Sequence, residues 1–146
     1  MLLLIQRVKK AHVAVAAKTL GAIDTGLLVF VCAEPNDTSD TLSKALHKIL
    51  NLRVFSDEND KMNLNVQQVN GGLLVVSQFT LAADTQRGNR PSFTKSAPPA
   101  QAQALYDEFV NLAKQAHPAV ATGEFAANME VHLINDGPIT IPMQIL

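Results

Sequence analysis

Short apolar runs of strand length alternate along the chain with two longer stretches of helical period. Leu2 to Val8 is apolar and of strand length, although its alternation is poor, and His12 to Ala16 predicts a second strand. Gly21 and Gly26 predict turns. The continuous run Gly26-Leu27-Leu28-Val29-Phe30-Val31-Cys32 predicts a buried strand. Pro35-Asn36-Asp37 breaks the chain, and Asp37, Thr38 or Ser39 can cap a helix whose one face carries Leu42, Ala45, Leu46, Ile49 and Leu50. That helix should end before Val54-Phe55. Residues 56–65 are polar and turn-rich, with a short strand expected around 63–69. Gly71-Gly72 opens a strong strand that runs from Leu73 through Leu81, its apolar half buried on both faces. Residues 84–97 read as a loop. Pro98-Pro99 suits a helix start, and Ala102, Leu105, Tyr106, Phe109, Leu112, Ala113 and Ala116 mark one face of a long helix that His117-Pro118 ends. Met129 to Ile134 and Ile139 to Ile145 read as two last strands flanking a Gly-Pro corner.

This order fits one sheet with two helices on a face, or two sheets with helices outside. Strands at both termini would leave apolar edges, and Ile139 to Leu146 carries no charge. Pairing with a second copy would cover such an edge, so a homodimer is expected. The 146 residues make one domain, residues 1–146, against about 100–200 residues per domain. Cys32 is the only cysteine, so no internal disulfide can form, which favours a reducing compartment. The apolar start is too short for a signal-peptide core, and no run approaches the roughly 18 residues of a membrane helix. The expected location is cytoplasmic, with no membrane partner.

A formal net charge of −1 argues against a broad electrostatic grip on a long nucleic-acid backbone. Local phosphate contacts remain open, because Arg87, Arg90 and Lys95 face only one acid, Asp84, over residues 84–95. A solvated loop is the plainer reading. His12, His47, His117 and His132 show no zinc-ligand spacing and read as surface or filler residues. Cys32, inside an apolar run, reads as a small buried hydrophobe. Ser77 and Thr80 are the candidate nucleophiles. Strand alternation puts Gln78 and Thr80 on one face and Ser77 and Phe79 on the other, so the two hydroxyls cannot pair unless the strand kinks. A hydroxyl nucleophile also needs a base, and His132 is the strand histidine that could lie nearby. Two alternatives stand: the hydroxyls satisfy backbone groups at a strand end, or Gln78 and Thr80 with nearby N–H groups orient a substrate or an oxyanion. Gly137-Pro138 can be a plain hairpin turn. A cis bond there would aim two carbonyl oxygens in nearly the same direction, a stiff chiral gauge.

Ser77-Gln78-Phe79-Thr80-Leu81 and Asn135-Asp136-Gly137-Pro138-Ile139-Thr140 carry a resemblance that spans the chain. It continues in Leu4-Ile5-Gln6-Arg7-Val8, Arg53-Val54-Phe55-Ser56-Asp57, Lys61-Met62-Asn63-Leu64 and Arg90-Pro91-Ser92-Phe93. With these motifs the chain resembles the bacterial D-aminoacyl-tRNA (D-tyrosyl-tRNA) deacylases. The resemblance implies an α/β fold of mixed β-sheets, barrel-like and two-sheeted, with two main helices packed outside. It implies an editing hydrolase that cleaves the ester of D-aminoacyl-tRNA, and of glycine mischarged on alanine tRNA, without a metal or other cofactor. The partners implied are a second copy and the tRNA acceptor end, not DNA. Ser77, Gln78, Phe79 and Thr80 would line the catalytic pocket. Gly137 and Pro138 would enter the partner's site as a Gly-cisPro pair that excludes L side chains, with Arg7 bracing that loop. Met129 and the loop from Arg87 to Phe93 would sit near the adenosine or the acceptor end. The ribose 2′-hydroxyl would help activate water; an older alternative makes Thr80 the nucleophile. Pro142 leaves the pairing of the last strand open.

Overall fold

The computed structural model describes residues 1–146. Eight strands and two helices follow in the order β1 (Leu2–Val15), β2 (Lys18–Ile23), β3 (Gly26–Cys32), α1 (Ser39–Asn51), β4 (Phe55–Ser56), β5 (Met62–Leu64), β6 (Gly72–Ser77), α2 (Pro99–Ala116), β7 (Val120–Thr122) and β8 (Glu130–Gln144). The main sheet runs β2-β1-β3-β6-β7, with β8 on the other side of β1, and β4-β5 form a separate small sheet. The β3–β6 and β6–β7 pairs are parallel and the rest are antiparallel. The main sheet curls until β2 nears β7: a Cβ on Gly21 would meet the Thr122 carbonyl oxygen at 2.4 Å. Gly21 therefore sits inside β2, where a bare backbone is needed, rather than in a turn.

The sheet has two apolar sides. Leu3, Ile5, Leu27, Val29, Val31, Leu73 and Val75 pack under both helices, while Val8, Val13, Leu28, Leu74 and Val76 fill the inside of the curl. This is why the runs in β3 and β6 are continuously apolar: successive side chains enter different cores. The expected α1 face is buried throughout, and Thr38 caps the helix, its hydroxyl accepting from the Thr41 N–H. In α2 the buried set is Leu105, Tyr106, Phe109, Val110 and Ala113; Ala116 is exposed instead. Neither helix is long and apolar enough to cross a membrane.

Several elements differ from the sequence expectation. The first two strands are one, β1, whose pleat is reset where Val8 pairs Asn135 and Lys10 pairs Ile134, leaving Lys9 as an extra residue. The poor alternation of Leu2 to Val8 precedes that bulge: Leu3 and Ile5 are buried on one face, and Leu2 and Leu4 are half-buried on the other. β2 was not legible in the sequence. The short strand expected around 63–69 ends at Leu64, and Val66 is buried in the turn that follows. The last two strands are also one, and they do not form a hairpin. Both halves of β8 pair antiparallel with β1, Thr140 opposite Gln6 and Asn135 opposite Val8, so that Asp136, Gly137, Pro138 and Ile139 bulge out across the single residue Arg7. Pro142 stands opposite Leu4 on a strand whose other side is a free edge, the setting in which sheets accept proline.

Candidate active site

The strand that starts at Gly72 stops at Ser77, short of the expected Leu81. Gln78 leaves extended geometry (φ −144°, ψ 80°), and Phe79–Ala82 wind into a 3-10 turn. The Gln78 N–H still donates to the Val31 carbonyl at 2.8 Å, so the turn is pinned to the end of β3. Strand alternation therefore does not relate Ser77 to Thr80, and the two hydroxyls are not assigned to opposite faces of one strand. Thr80 is exposed, and its hydroxyl accepts from the Gln78 side-chain amide.

A cavity of about 550 Å³ opens at the carboxyl ends of the parallel strands β3 and β6, where Val31, Cys32, Val76 and Ser77 meet the start of α2 and residues 125–131. Crossover connections leave such a crevice in parallel sheets. Of its 19 lining residues, 14 are hydrophobic, so it suits a flat apolar or aromatic group met by few polar contacts. Ser77, Gln78, Phe79 and Met129 are in this wall. Thr80, Arg7, Gly137 and Pro138 are not. Phe79, 53% exposed, meets Phe93 edge-on at 5.1 Å and forms the rim.

Most of the wall was not marked as a site by the sequence, Tyr106 and Phe125 included. In the sequence Tyr106 is a helix-face residue and part of Ala104-Leu105-Tyr106, a further stretch of the family resemblance, with no site role assigned; its hydroxyl donates to the Val75 carbonyl at 2.9 Å and ties α2 to β6. Phe125, which leans on Tyr106 at 5.9 Å, lies in a segment without periodicity. Burial, and secondarily the Asp107 charge, push the Tyr106 phenol up to about 12. The folded state then holds this proton more tightly than the unfolded chain, so stability falls as pH rises from about 10 to 12. Tyr106→Phe should cost about 1 kcal/mol at neutral pH and remove that part of the alkaline loss, measurable by urea titration at pH 7 and pH 11.

Burial, then the nearby Glu34 charge, raise the Cys32 thiol, whose Sγ lies 3.6 Å from the Phe79 carbonyl. It is a protonated wall residue rather than a nucleophile. No histidine lines the cavity. His132 is stacked on His12 (ring centroids 4.3 Å apart) with its Nε2 3.3 Å from Glu130, and it is no base for Ser77 or Thr80. His117 is buried with its ring nitrogen 2.7 Å from the Gly71 carbonyl oxygen, a structural role at the end of α2. No three histidine, cysteine or acidic side chains gather as a metal site.

The bulge in β8 is the second feature. Arg7 Nε donates to the Asp136 carbonyl at 3.0 Å and Nη1 to the Val54 carbonyl at 2.7 Å, joining the bulge to the base of the small sheet. Asn135 spans it from inside: its Oδ1 accepts from the Ile139 N–H at 3.0 Å and its Nδ2 donates to the Thr140 hydroxyl at 2.9 Å. Gln6 donates to the same hydroxyl at 3.1 Å. The Gly137-Pro138 bond is cis, and Gly137 has φ +135°, a backbone region that favours glycine. Both residues are exposed.

A family profile described as D-Tyr-tRNA(Tyr) deacylase matches residues 4–144. A D-aminoacyl-tRNA deacylase of Saccharophagus degradans is 62% identical over 140 residues, covering 96% of this chain and 97% of the relative. One of Ectopseudomonas mendocina is 58% identical over 145 residues, covering 99% of this chain and 100% of the relative. Among solved structures, one described as c-Myc DNA unwinding element binding protein superposes with a TM-score of 0.94 at 37% identity, covering 99% of this chain and 98% of the other. A second, described as a probable eukaryotic D-amino acid tRNA deacylase, superposes with a TM-score of 0.87 at 16% identity and 97% coverage of both chains, a likeness of fold. With a profile match over nearly its whole length and relatives this similar, the chain belongs to the D-Tyr-tRNA(Tyr) deacylase family.

Proposed function

We propose that this chain is an editing hydrolase that cleaves the ester linking a D-amino acid to the terminal adenosine of tRNA. Water adds its oxygen to the ester carbonyl, the ribose oxygen leaves with a proton, and free amino acid and reusable tRNA result. The observation that carries the reading is the separation of two features on one chain: an apolar cavity rimmed by Ser77, Gln78 and Phe79, and an exposed, tightly braced Gly137-Pro138 bend outside it. A bend that is braced yet exposed and outside its own cavity wall suits insertion into the cavity of a second copy. Chirality is then judged by a clash of main-chain carbonyls with an L side chain, whereas D-aminoacyl and glycyl groups pass. The free outer edge of β8, carrying an exposed Ile134, supports a homodimer. The working location is the cytoplasm, where charged tRNA is found.

For the chemical step we favour assistance by the ribose 2′-hydroxyl, with Ser77, Gln78 and main-chain groups of the Phe79–Ala82 turn positioning ester and water. The absence of a histidine or carboxylate in the cavity wall supports this over direct attack by Thr80. The test is parallel deacylation of D-tyrosyl-, glycyl- and L-tyrosyl-tRNA. Hydrolysis of the first two and sparing of the third is expected; equal hydrolysis of both enantiomers sinks the reading. Thr80→Ala should keep kcat within about tenfold, because loss of a true nucleophile costs on the order of 10⁴ or more. A substrate lacking the terminal 2′-hydroxyl should slow by roughly 10²–10⁴, the usual worth of acid–base assistance.

A further inference from the structure

We propose that Arg87 and Arg90 hold backbone phosphates of the single-stranded tRNA 3′ end as it enters the cavity, a role that rests on the reading of the cavity as the aminoacyl-adenosine site. Three observations carry it. The loop they occupy is closed at its base by a two-way bridge, the Asp84 N–H donating to Ser92 O at 2.7 Å and the Ser92 N–H to Asp84 O at 3.0 Å. Its base is fixed at the cavity mouth, because Phe93 is in the wall and meets the rim residue Phe79. Its charges are sorted: Lys95 pairs with Asp84 at 3.2 Å, while Arg87 and Arg90 are exposed and take part in no ion pair. Asp84 is spoken for twice, since its carboxylate also accepts from the Gln86 N–H at 3.0 Å, and these contacts hold it below the usual carboxylate range.

The loop thus carries two free guanidiniums, and its base stands at the mouth of a cavity with few polar groups. A nucleoside inside such a cavity leaves its 5′ phosphates outside, at the rim. Guanidinium forks match phosphate oxygens bidentately. A grip confined to the mouth also reconciles an RNA substrate with a net charge of −1, because only the strand end needs holding.

The test uses the whole protein as Arg87→Ala, Arg90→Ala and the double variant, with Arg→Lys controls. For the double variant, KM for D-tyrosyl-tRNA should rise about tenfold, kcat should stay within about twofold, and the slope of log kcat/KM against log salt should become shallower by roughly 0.7 per arginine. The lysine controls should keep most of the salt slope. The D-tyrosyl ester of adenosine, which has no phosphate, should be cleaved at the wild-type rate by every variant. Fluorescence anisotropy with uncharged tRNA repeats the salt series without turnover. A wild-type chain that binds tRNA through these arginines but releases no D-tyrosine would sink the hydrolase reading and uphold this one. An unchanged salt slope, or an equal loss on the phosphate-free ester, overturns the phosphate grip.

Discussion

Arg7→Ala should lower the ratio of D- to L-tyrosyl-tRNA hydrolysis by on the order of tenfold or more, one decade for each 1.4 kcal/mol lost from the exclusion of the L substrate. The Arg7 side chain is 11% exposed, and its guanidinium reaches two carbonyls that belong to different parts of the fold, Asp136 in the β8 bulge and Val54 at the base of the small sheet. Hydrogen bonds from a charged donor are worth about 1.5–3 kcal/mol each, and their removal leaves part-buried acceptors unpaired. The variant should therefore unfold at lower urea concentration, by about 3 kcal/mol. Little of this belongs to the 3.5 Å contact with the Asp136 carboxylate, because that side chain is 40% exposed and the attraction is screened. Arg7→Lys should rescue poorly, since one ammonium cannot serve two divergent acceptors in the fork geometry. Stability and selectivity fall together only if the bend acts as a rigid gauge. A destabilised variant with undiminished preference for the D substrate would refute that role.

Phe109→Ala should cost about 3–5 kcal/mol, the usual range for a buried phenylalanine. Phe109 is 1% exposed and sits in the larger core, where α2 meets α1 and the sheet. For a chain of this size each kcal/mol shifts the melting temperature by roughly 2–4 °C, so a drop of about 6–20 °C is expected by circular dichroism. The same helix carries Ala102 and Tyr106 in the cavity wall, so activity should melt in step with structure. Phe109→Leu keeps most of the volume and should lose less than half as much. A loss below about 1 kcal/mol for alanine would mean that the core under α2 is not close-packed.

Much of this architecture is written locally. The caps, faces and ends of both helices follow from residues within a turn of one another, with Val110 and Ala116 the exceptions. The doubly buried strands β3 and β6 follow from continuous apolar runs. Of the motif residues Ser77, Gln78, Phe79 and Thr80, the first three line the cavity with Met129 and Thr80 does not, and Arg7 hydrogen-bonds the Asp136 carbonyl next to Gly137.

What was not legible depends on contacts distant in sequence. The hairpin that creates β2 turns on Ala16-Ala17, both with positive φ (48° and 65°), where glycine or asparagine would be the usual signal. Alanine there costs about 1–2 kcal/mol per residue, and only the pairing of β2 along β1 offsets it. The continuity of β1 and of β8 was hidden by bulges inside them, which shift which residue faces the core without any local marker in the chain. The stop at Ser77 was hidden because Gln78-Phe79-Thr80-Leu81 has the composition of a strand. The chain leaves the sheet there because Gln78 is pinned to Val31 and the following residues have no neighbouring strand to pair with. By itself, then, the sequence determined helices, buried strands and motif identities, all set by period and residue type over a few positions. Tertiary structure alone decided that the Gly-Pro segment is a bulge braced from across the sheet rather than a hairpin, and that it lies apart from the cavity. Register and the meeting of remote side chains are settled by the summed burial of the whole chain, and no short stretch encodes that sum.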